Sequence, residues 1–252
     1  MWIVFCSSSD HSAIWAYEGL KLRGLAPLEL VTTEHLGVAR LWEHRVGAGG
    51  AHLKIGLHDG RVLCSSRIRG ALNRIAAPGY SLVQRAVEPD RDYATSELQA
   101  FYLSWLNAVP GNVVNRPSPQ GMSGAWRHIS EWALIANRCG FRVPPYRQTD
   151  LDPMERGYAS LAPAGARVAN LVVLDGAGVF GQPVPERIVS ACLAMVKDQG
   201  IGILGVDVYQ DAAGDWLFAG ATPAPWLPAG GEPLLDGLLK TLTATERTGE
   251  AQ

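Results

Sequence analysis

Asp207 stands inside the apolar run "GVDVY", and a tight turn leads from it into a second apolar run that ends Gly220, Ala221, Thr222, Pro223. Residues 205 to 225 therefore read as a strand, a turn and a second strand. An acid on one strand facing the end of its hairpin partner is a common way to hold Mg²⁺ beside a nucleotide. Here the second strand offers no carboxylate, so the stretch also reads as the remains of a metal site or as a hairpin alone. Arg67, Arg69, Arg74 and Arg116 form a second set. Their guanidinium forks suit a carboxylate- or phosphate-bearing ligand, and they equally suit solvated charges on strand and turn ends. A third candidate is "SSSDHS", residues 7 to 12, whose Ser, Asp and His follow a short strand; it is either a ligand loop or a turn with a helix cap.

Other chemistry is scarce. The histidines (His11, His35, His44, His52, His58, His128) form no H-x-x-x-H pair and read as surface or satisfied groups. No phosphate-binding G-x-x-x-x-G-K-[ST] loop and no G-x-S-x-G elbow occurs. The glycines of "DGAGVFG" lie between strands, not at a helix start, so a Rossmann reading fails on context. Cys6, Cys64, Cys139 and Cys192 are far apart with no C-x-x-C pair, which reads as free thiols in a reducing cytoplasm.

The elements that position these residues follow from pattern. "WIVFC" is a fully apolar strand. A helix with Ser12 as its cap and Gly24 as its stop comes next, then the strand "LELVT", which together open a parallel crossover. Residues 53 to 69 alternate about His58, Asp59 and Gly60, where Asp-Gly signals a hairpin. A helix capped by Asp92 carries Leu98, Phe101, Tyr102, Trp105 and Leu106 on one broad apolar face, which means core. "NVVNRP" is a short strand ended by proline. "ISEWALIANRCG" is a helix stopped at Gly140, "VANLVVLDGAGVF" a hairpin, and "VPERIVSACLAMVKDQG" a helix from Pro185 to Gly200.

With 47% apolar and 18% charged residues among 252, the chain has material for one large domain or two small ones. A net charge of −2 gives no reason to expect nucleic acid or an anionic membrane as partner. The opening strand is too short for a signal sequence, and no apolar run approaches a membrane span of ~18 residues.

Three segments in order resemble the ATP-grasp superfamily, in particular its RimK-like and microviridin-type peptide ligases. "SELQAFYLSWLNAVPGNVVNRP" resembles the end of that family's small N-terminal domain, where an Asn-Arg-Pro turn (Asn115, Arg116) leads onward. "ISEWALIANRCGFRVPPY" is similar to its next helix and exit. Residues 172 to 225 resemble its carboxyl half, and "SSRIRGALNRI" the stretch that carries its arginines, Arg69 and Arg74 among them. The resemblance implies an α/β fold: a pre-ATP-grasp-like domain over residues 1–110, then a truncated ATP-grasp-like α+β domain over 111–252.

Departures from the family shape the expected function. Asp207 is retained, but Gly220 and Thr222 stand where the family has metal-binding Glu and Asn. The only lysines are Lys21, Lys54, Lys197 and Lys240, so the interval for both phosphate lysines holds none, and an arginine such as Arg147, Arg156 or Arg167 would have to substitute. About twenty loosely patterned residues follow "VPPY", where the family builds one jaw of its nucleotide cleft. The expectation is a degenerate, non-catalytic partner subunit of a biosynthetic or peptide-modification pathway, cytoplasmic, with no metal and no cofactor. The alternative is a working ATP-dependent carboxylate–amine ligase using ATP and Mg²⁺, with Asp207 on the metal and Arg116 anchoring a carboxylate. Ligand-binding candidates are Asp207, Arg116, Asn115, Arg74 and Arg69. A missing jaw would leave the inner face of the last sheet bare, so the segment around Trp226 is expected to dock a protein partner or a second copy, unless residues 147 to 167 cover that face.

Overall fold

The computed structural model describes residues 1–79, 83, 87–146 and 161–244. The chain divides into two compact units, Met1–Ala125 with Leu238–Gln252, and Trp126–Gly237.

The first unit begins with β1 (Trp2–Cys6), α1 (His11–Leu22) and β2 (Leu28–Thr32), the parallel crossover that the sequence predicts. It continues through α2 (Thr33–Gly37), β3 (Leu41–Gly47), β4 (Gly50–Gly56), β5 (Val62–Cys64), β6 (Gly70–Asn73), α3 (Arg91–Asn107) and β7 (Asn112–Val114). Four parallel strands form one sheet in the order β2-β1-β6-β7, and β3-β4-β5 form an antiparallel one. The aromatic stripe of α3 is core as expected: Trp105 and Tyr102 are buried and meet Phe5 and Trp42 at ring distances of 5.4–6.0 Å. Two caps differ from expectation. Asp10, not Ser12, caps α1, its Oδ1 accepting the Ala13 N–H at 3.0 Å, because α1 starts at His11. Asp90 is the residue before α3, which places Asp92 in its first turn.

The first unit also runs past residue 110. β7 is hydrogen-bonded to β6 as the fourth parallel strand, and the Trp2 indole N–H donates to the Leu242 carbonyl, so both Asn112–Val114 and the chain's last helix end belong to it.

The second unit holds α4 (Ile129–Arg138), β8 (Val168–Leu174), β9 (Gly178–Gly181), α5 (Glu186–Gln199), β10 (Ile203–Gln210), β11 (Trp216–Thr222) and the start of α6 (Gly231–Thr243). Its sheet is antiparallel throughout, ordered β11-β10-β8-β9, with α5 packed on β8, β9 and β10 and α4 on β11. Gly200 ends α5 in the left-handed region (φ 60°), as its position after the last apolar residue predicts.

Candidate functional site

Side chains alternate across a strand, and directly opposed residues of an antiparallel pair share a face. Asp207 of β10 is opposed by Asn170 of β8 and by Gly220 of β11; two residues earlier, Gly205 is opposed by Val172 and Thr222. One face of the sheet therefore presents Asn170, Asp207, Gly220 and Thr222 together. The opposite face is closed by Leu171, Val173, Leu204 and Val206, each buried. A bulge between Asp207 and Val208 marks the site, as bulges do where a strand re-aims a side chain.

Asp207 is half-buried, and Asn170 Nδ2–H donates to its Oδ1 at 2.7 Å. Burial pushes its carboxyl above the ordinary value of 3.8, and the Asn170 hydrogen bond opposes this only in part. A carboxylate so placed is a poor resting charge and a good partner for a cation. Asn170 was not a sequence candidate, although the signal was present as one amide interrupting the apolar run "VANLVVL". Among the described residues no three His, Cys, Asp or Glu side chains gather to hold a metal ion. The arginine substitutes Arg147 and Arg156 lie outside the described residues; Arg167 is exposed just before β8.

The face is not bare along its whole length. A methyl group on Gly205 would stand 2.9 Å from Pro225 Cβ, and one on Gly237 3.1 Å from the Phe180 ring and 3.2 Å from Leu174. The segment that follows β11 thus folds back over the Ile203–Gly205 end, burying Leu227, Leu234 and Leu235 while Trp226 stays 58% exposed. The expectation of an uncovered inner face is corrected there, and the cover is the chain's own carboxyl-terminal segment. We expect Gly205→Ala to destabilise the protein by about 1–3 kcal/mol, because its Cβ overlaps Pro225 and the Thr222 methyl (3.0 Å). Urea unfolding of the variant measures this, and an unchanged midpoint would show that Pro225 does not press on the strand.

The remaining candidates lie in the first unit and do not converge on one ligand. At the carboxyl ends of β1 and β6, Arg74 is buried and pairs with Asp10, Nε to Oδ2 at 2.7 Å and Nη2 to Oδ1 at 3.3 Å. Burial, with the Asp10 charge next, pushes the adjacent Cys6 thiol up to about 12, so it is inert. Arg116 is spent on carbonyls, donating to Asn107, Val109 and Gly111 at 2.8–3.2 Å; a cation belongs at the carboxyl end of α3. Asn115 is buried in the left-handed region (φ 60°), and its carbonyl accepts from Asn73 Nδ2 at 2.9 Å. Arg69 lies over the Trp2 ring at 5.4 Å, and Arg67 donates to the Val62 carbonyl. Asn73, absent from the sequence candidates, is the hub of this corner: Nδ2 also donates to Met122 O at 2.6 Å, and Oδ1 accepts the Ile75 N–H at 3.2 Å.

No protein-family model and no curated protein matches the sequence. Solved structures do match. The macrocyclase MdnC of Microcystis aeruginosa, solved with its precursor peptide MdnA, is 11% identical at TM-score 0.71, over 96% of this chain and 99% of that one. A peptide-associated ATP-grasp ligase of Chryseobacterium gregarium, solved with ADP and leader and core peptides, is 12% identical at TM-score 0.70, over 100% and 99%. The ATP-grasp ligase PsnB, solved with minimal precursor, Mg and ADP, is 14% identical at TM-score 0.66, over 96% and 97%. Such identities establish likeness of fold. The likeness runs the length of ligase chains solved with nucleotide and peptide, and this overturns two expectations: that of a non-catalytic partner subunit and that of no cofactor. The expected truncation concerns the stretch after "VPPY", most of which lies outside the described residues. Among described residues, no helix is long and apolar enough to cross a membrane. The chain has a mixed α/β fold whose helices and sheets match those of these ATP-grasp structures.

Proposed function

We propose that the chain is an ATP-dependent carboxylate–amine ligase acting on a peptide, of the RimK-like and microviridin-type branch. The observation that carries this reading is Asp207: a half-buried carboxylate on a sheet face whose neighbours across the ladder are an amide and a glycine. The similar folds solved with ADP, Mg and precursor peptides support it. Mg²⁺ is ordinarily held by one or two protein carboxylates together with nucleotide phosphates. One half-buried carboxylate, on a face that presents no other acid among the described residues, fits that requirement. Asp207 and Asn170 would hold the ion, with the Thr222 hydroxyl on the same face. Bound Mg²⁺-ATP would supply the phosphoryl group that activates a carboxylate toward an amine.

The chain's own residues do the positioning. Asn170 fixes the Asp207 carboxylate through one oxygen. Gly220, opposite it on β11, and Gly205, two residues earlier on β10, put no side chain beside it. Arg74, Arg116 and Asn115 serve as scaffold, since their polar groups are engaged with Asp10, carbonyls and Asn73. Four free thiols suit a reducing cytoplasm, the compartment we assign.

Incubation with Mg²⁺-ATP and a panel of peptides carrying Glu, Asp and Lys side chains tests the reading. It expects peptide-dependent release of ADP and phosphate, with a product lighter than its parent by one water. Absence of nucleotide binding by calorimetry, with or without peptide, would overturn it.

A further inference from the structure

We propose that Cys64 is a modification site, a thiol on the outer face of the sheet β3-β4-β5 that forms a mixed disulfide with an anionic low-molecular-weight disulfide. The ladder assembles its surroundings. Cys64 is opposed by Lys54 of β4, and Lys54 in turn by Glu43 of β3; two residues away, His52 is opposed by Arg45. Directly opposed residues share a face, so these side chains lie together. The opposite face carries Leu53, Ile55 and Leu63, each buried, which turns the Cys64 face outward. Two polar groups stand beside the sulfur, Ser66 Oγ at 3.2 Å and His52 Nε2 at 3.9 Å. Arg67 Nη2 donates to the Val62 carbonyl at 2.8 Å, which brings a further cation back along β5. His52, Lys54, Ser66 and Arg67 are exposed and Cys64 partly so, and a small reagent can reach the sulfur.

A thiol reacts as its thiolate, and this cluster favours the thiolate. Hydrogen bonds from Ser66, its hydroxyl first and its N–H next, hold the Cys64 thiol below the ordinary value of 9.0; Arg67 and Lys54 act in the same direction and slight burial against it. The other three thiols go the opposite way. Burial raises Cys139 and pushes Cys6 and Cys192 up to about 12. In the exchange, the Cys64 proton passes to water or to the His52 ring. The thiolate attacks one sulfur of the disulfide, a new S–S bond forms as the old one breaks, and the other half leaves as a thiolate that takes a proton. The reagent is itself the oxidant. Charge selects it: Arg45, Lys54 and Arg67 flank the sulfur, and Glu43, the acid among these side chains, is already paired with Arg45 at 2.8 Å. Excess cation beside the sulfur favours a disulfide that bears carboxylates. None of these residues shares an element with Asp207 or Asn170, and the ligase reading is not required.

The test is incubation of the native full-length protein with glutathione disulfide at neutral pH, with adducts located by mass spectrometry of its peptides. We expect one glutathionyl group per chain, on Cys64, and none on Cys64→Ser. Ser66→Ala should slow the reaction about threefold at neutral pH and move its pH–rate profile upward, because less thiolate is present. A second probe, bis(hydroxyethyl) disulfide, is uncharged, so the ratio of the two rates reports charge and not thiolate content. Lys54→Gln should lower that ratio about threefold, and added salt should lower it in the wild type. A faster adduct on Cys139, modification only after unfolding, or an unmoved profile in Ser66→Ala would each overturn the proposal. An unchanged ratio in Lys54→Gln would overturn its choice of an anionic reagent.

Discussion

Asp207→Asn is expected to erase the stabilisation that Mg²⁺-ATP confers while leaving the unliganded protein at least as stable at neutral pH. A ligand at one hundred times its dissociation constant stabilises by about 2.7 kcal/mol, a rise of roughly 5–10 °C in a chain of this size. Among the described residues, Asp207 is the carboxylate that this face presents, so its amide should lose the Mg²⁺-dependent part. The unliganded effect has the opposite sign for a stated reason. Burial raises the folded carboxyl above 3.8, so the folded state holds its proton more tightly than the unfolded chain. Stability from this group is full below 3.8 and is lost as pH rises through the folded value. As pH rises to 7 the wild type therefore loses stability that Asn, which does not ionise, keeps, while Asn can still accept from Asn170. Melting curves with and without Mg²⁺-ATP, from pH 4 to 8, measure both parts; the variant's advantage should shrink as pH falls. Full retention of Mg²⁺-dependent stabilisation would remove Asp207 from the site. A large loss of unliganded stability would make it a structural residue instead.

Local periodicity made the elements legible. The strands "WIVFC" and "LELVT", the aromatic stripe of α3, and the hairpins about Asp59-Gly60 and residues 174–178 lie where alternation, helical spacing and turn residues put them. Long-range pairing was not legible. Nothing in "NVV" says that it is the fourth strand of the first sheet, because a three-residue strand carries too few side chains to declare its neighbour. Polar partners are illegible for a related reason. The charge of Arg116 is visible in sequence, whereas the carbonyls that it meets belong to every residue and leave no trace there. Asn170 and Asn73 were overlooked because an amide is neutral and common. Only the register that sets Asn170 against Asp207, and the loop that brings Met122 to Asn73, reveal their work. The non-catalytic reading rested on residues missing from expected positions, and a count of absences cannot weigh what a fold keeps across its whole length.

Asn73→Ala should be among the most destabilising single changes in the first unit. The Asn73 side chain is 1% exposed and makes three hydrogen bonds, giving two to the carbonyls of Asn115 and Met122 and taking one from the Ile75 N–H. Alanine leaves all three main-chain groups without this partner where water does not reach, at about 1–3 kcal/mol for each group not satisfied otherwise. Partial relaxation should bring the total to about 3–5 kcal/mol, measured as a fall in the urea midpoint. Asn73→Asp distinguishes hydrogen bonding from lost volume, since it fills the same space. Its carboxylate could still accept from Ile75 but would face two carbonyl oxygens with no proton to offer, so at pH 7 it should be less stable than the alanine variant. Lowering the pH toward 4 protonates that carboxyl and restores one donor, and the aspartate variant should then recover relative to alanine. If Asn73→Asp were as stable as wild type at pH 7, the side chain would not be donating to these carbonyls, and the junction of β6, β7 and the Met122 loop would have to be held by the β6–β7 ladder and apolar packing.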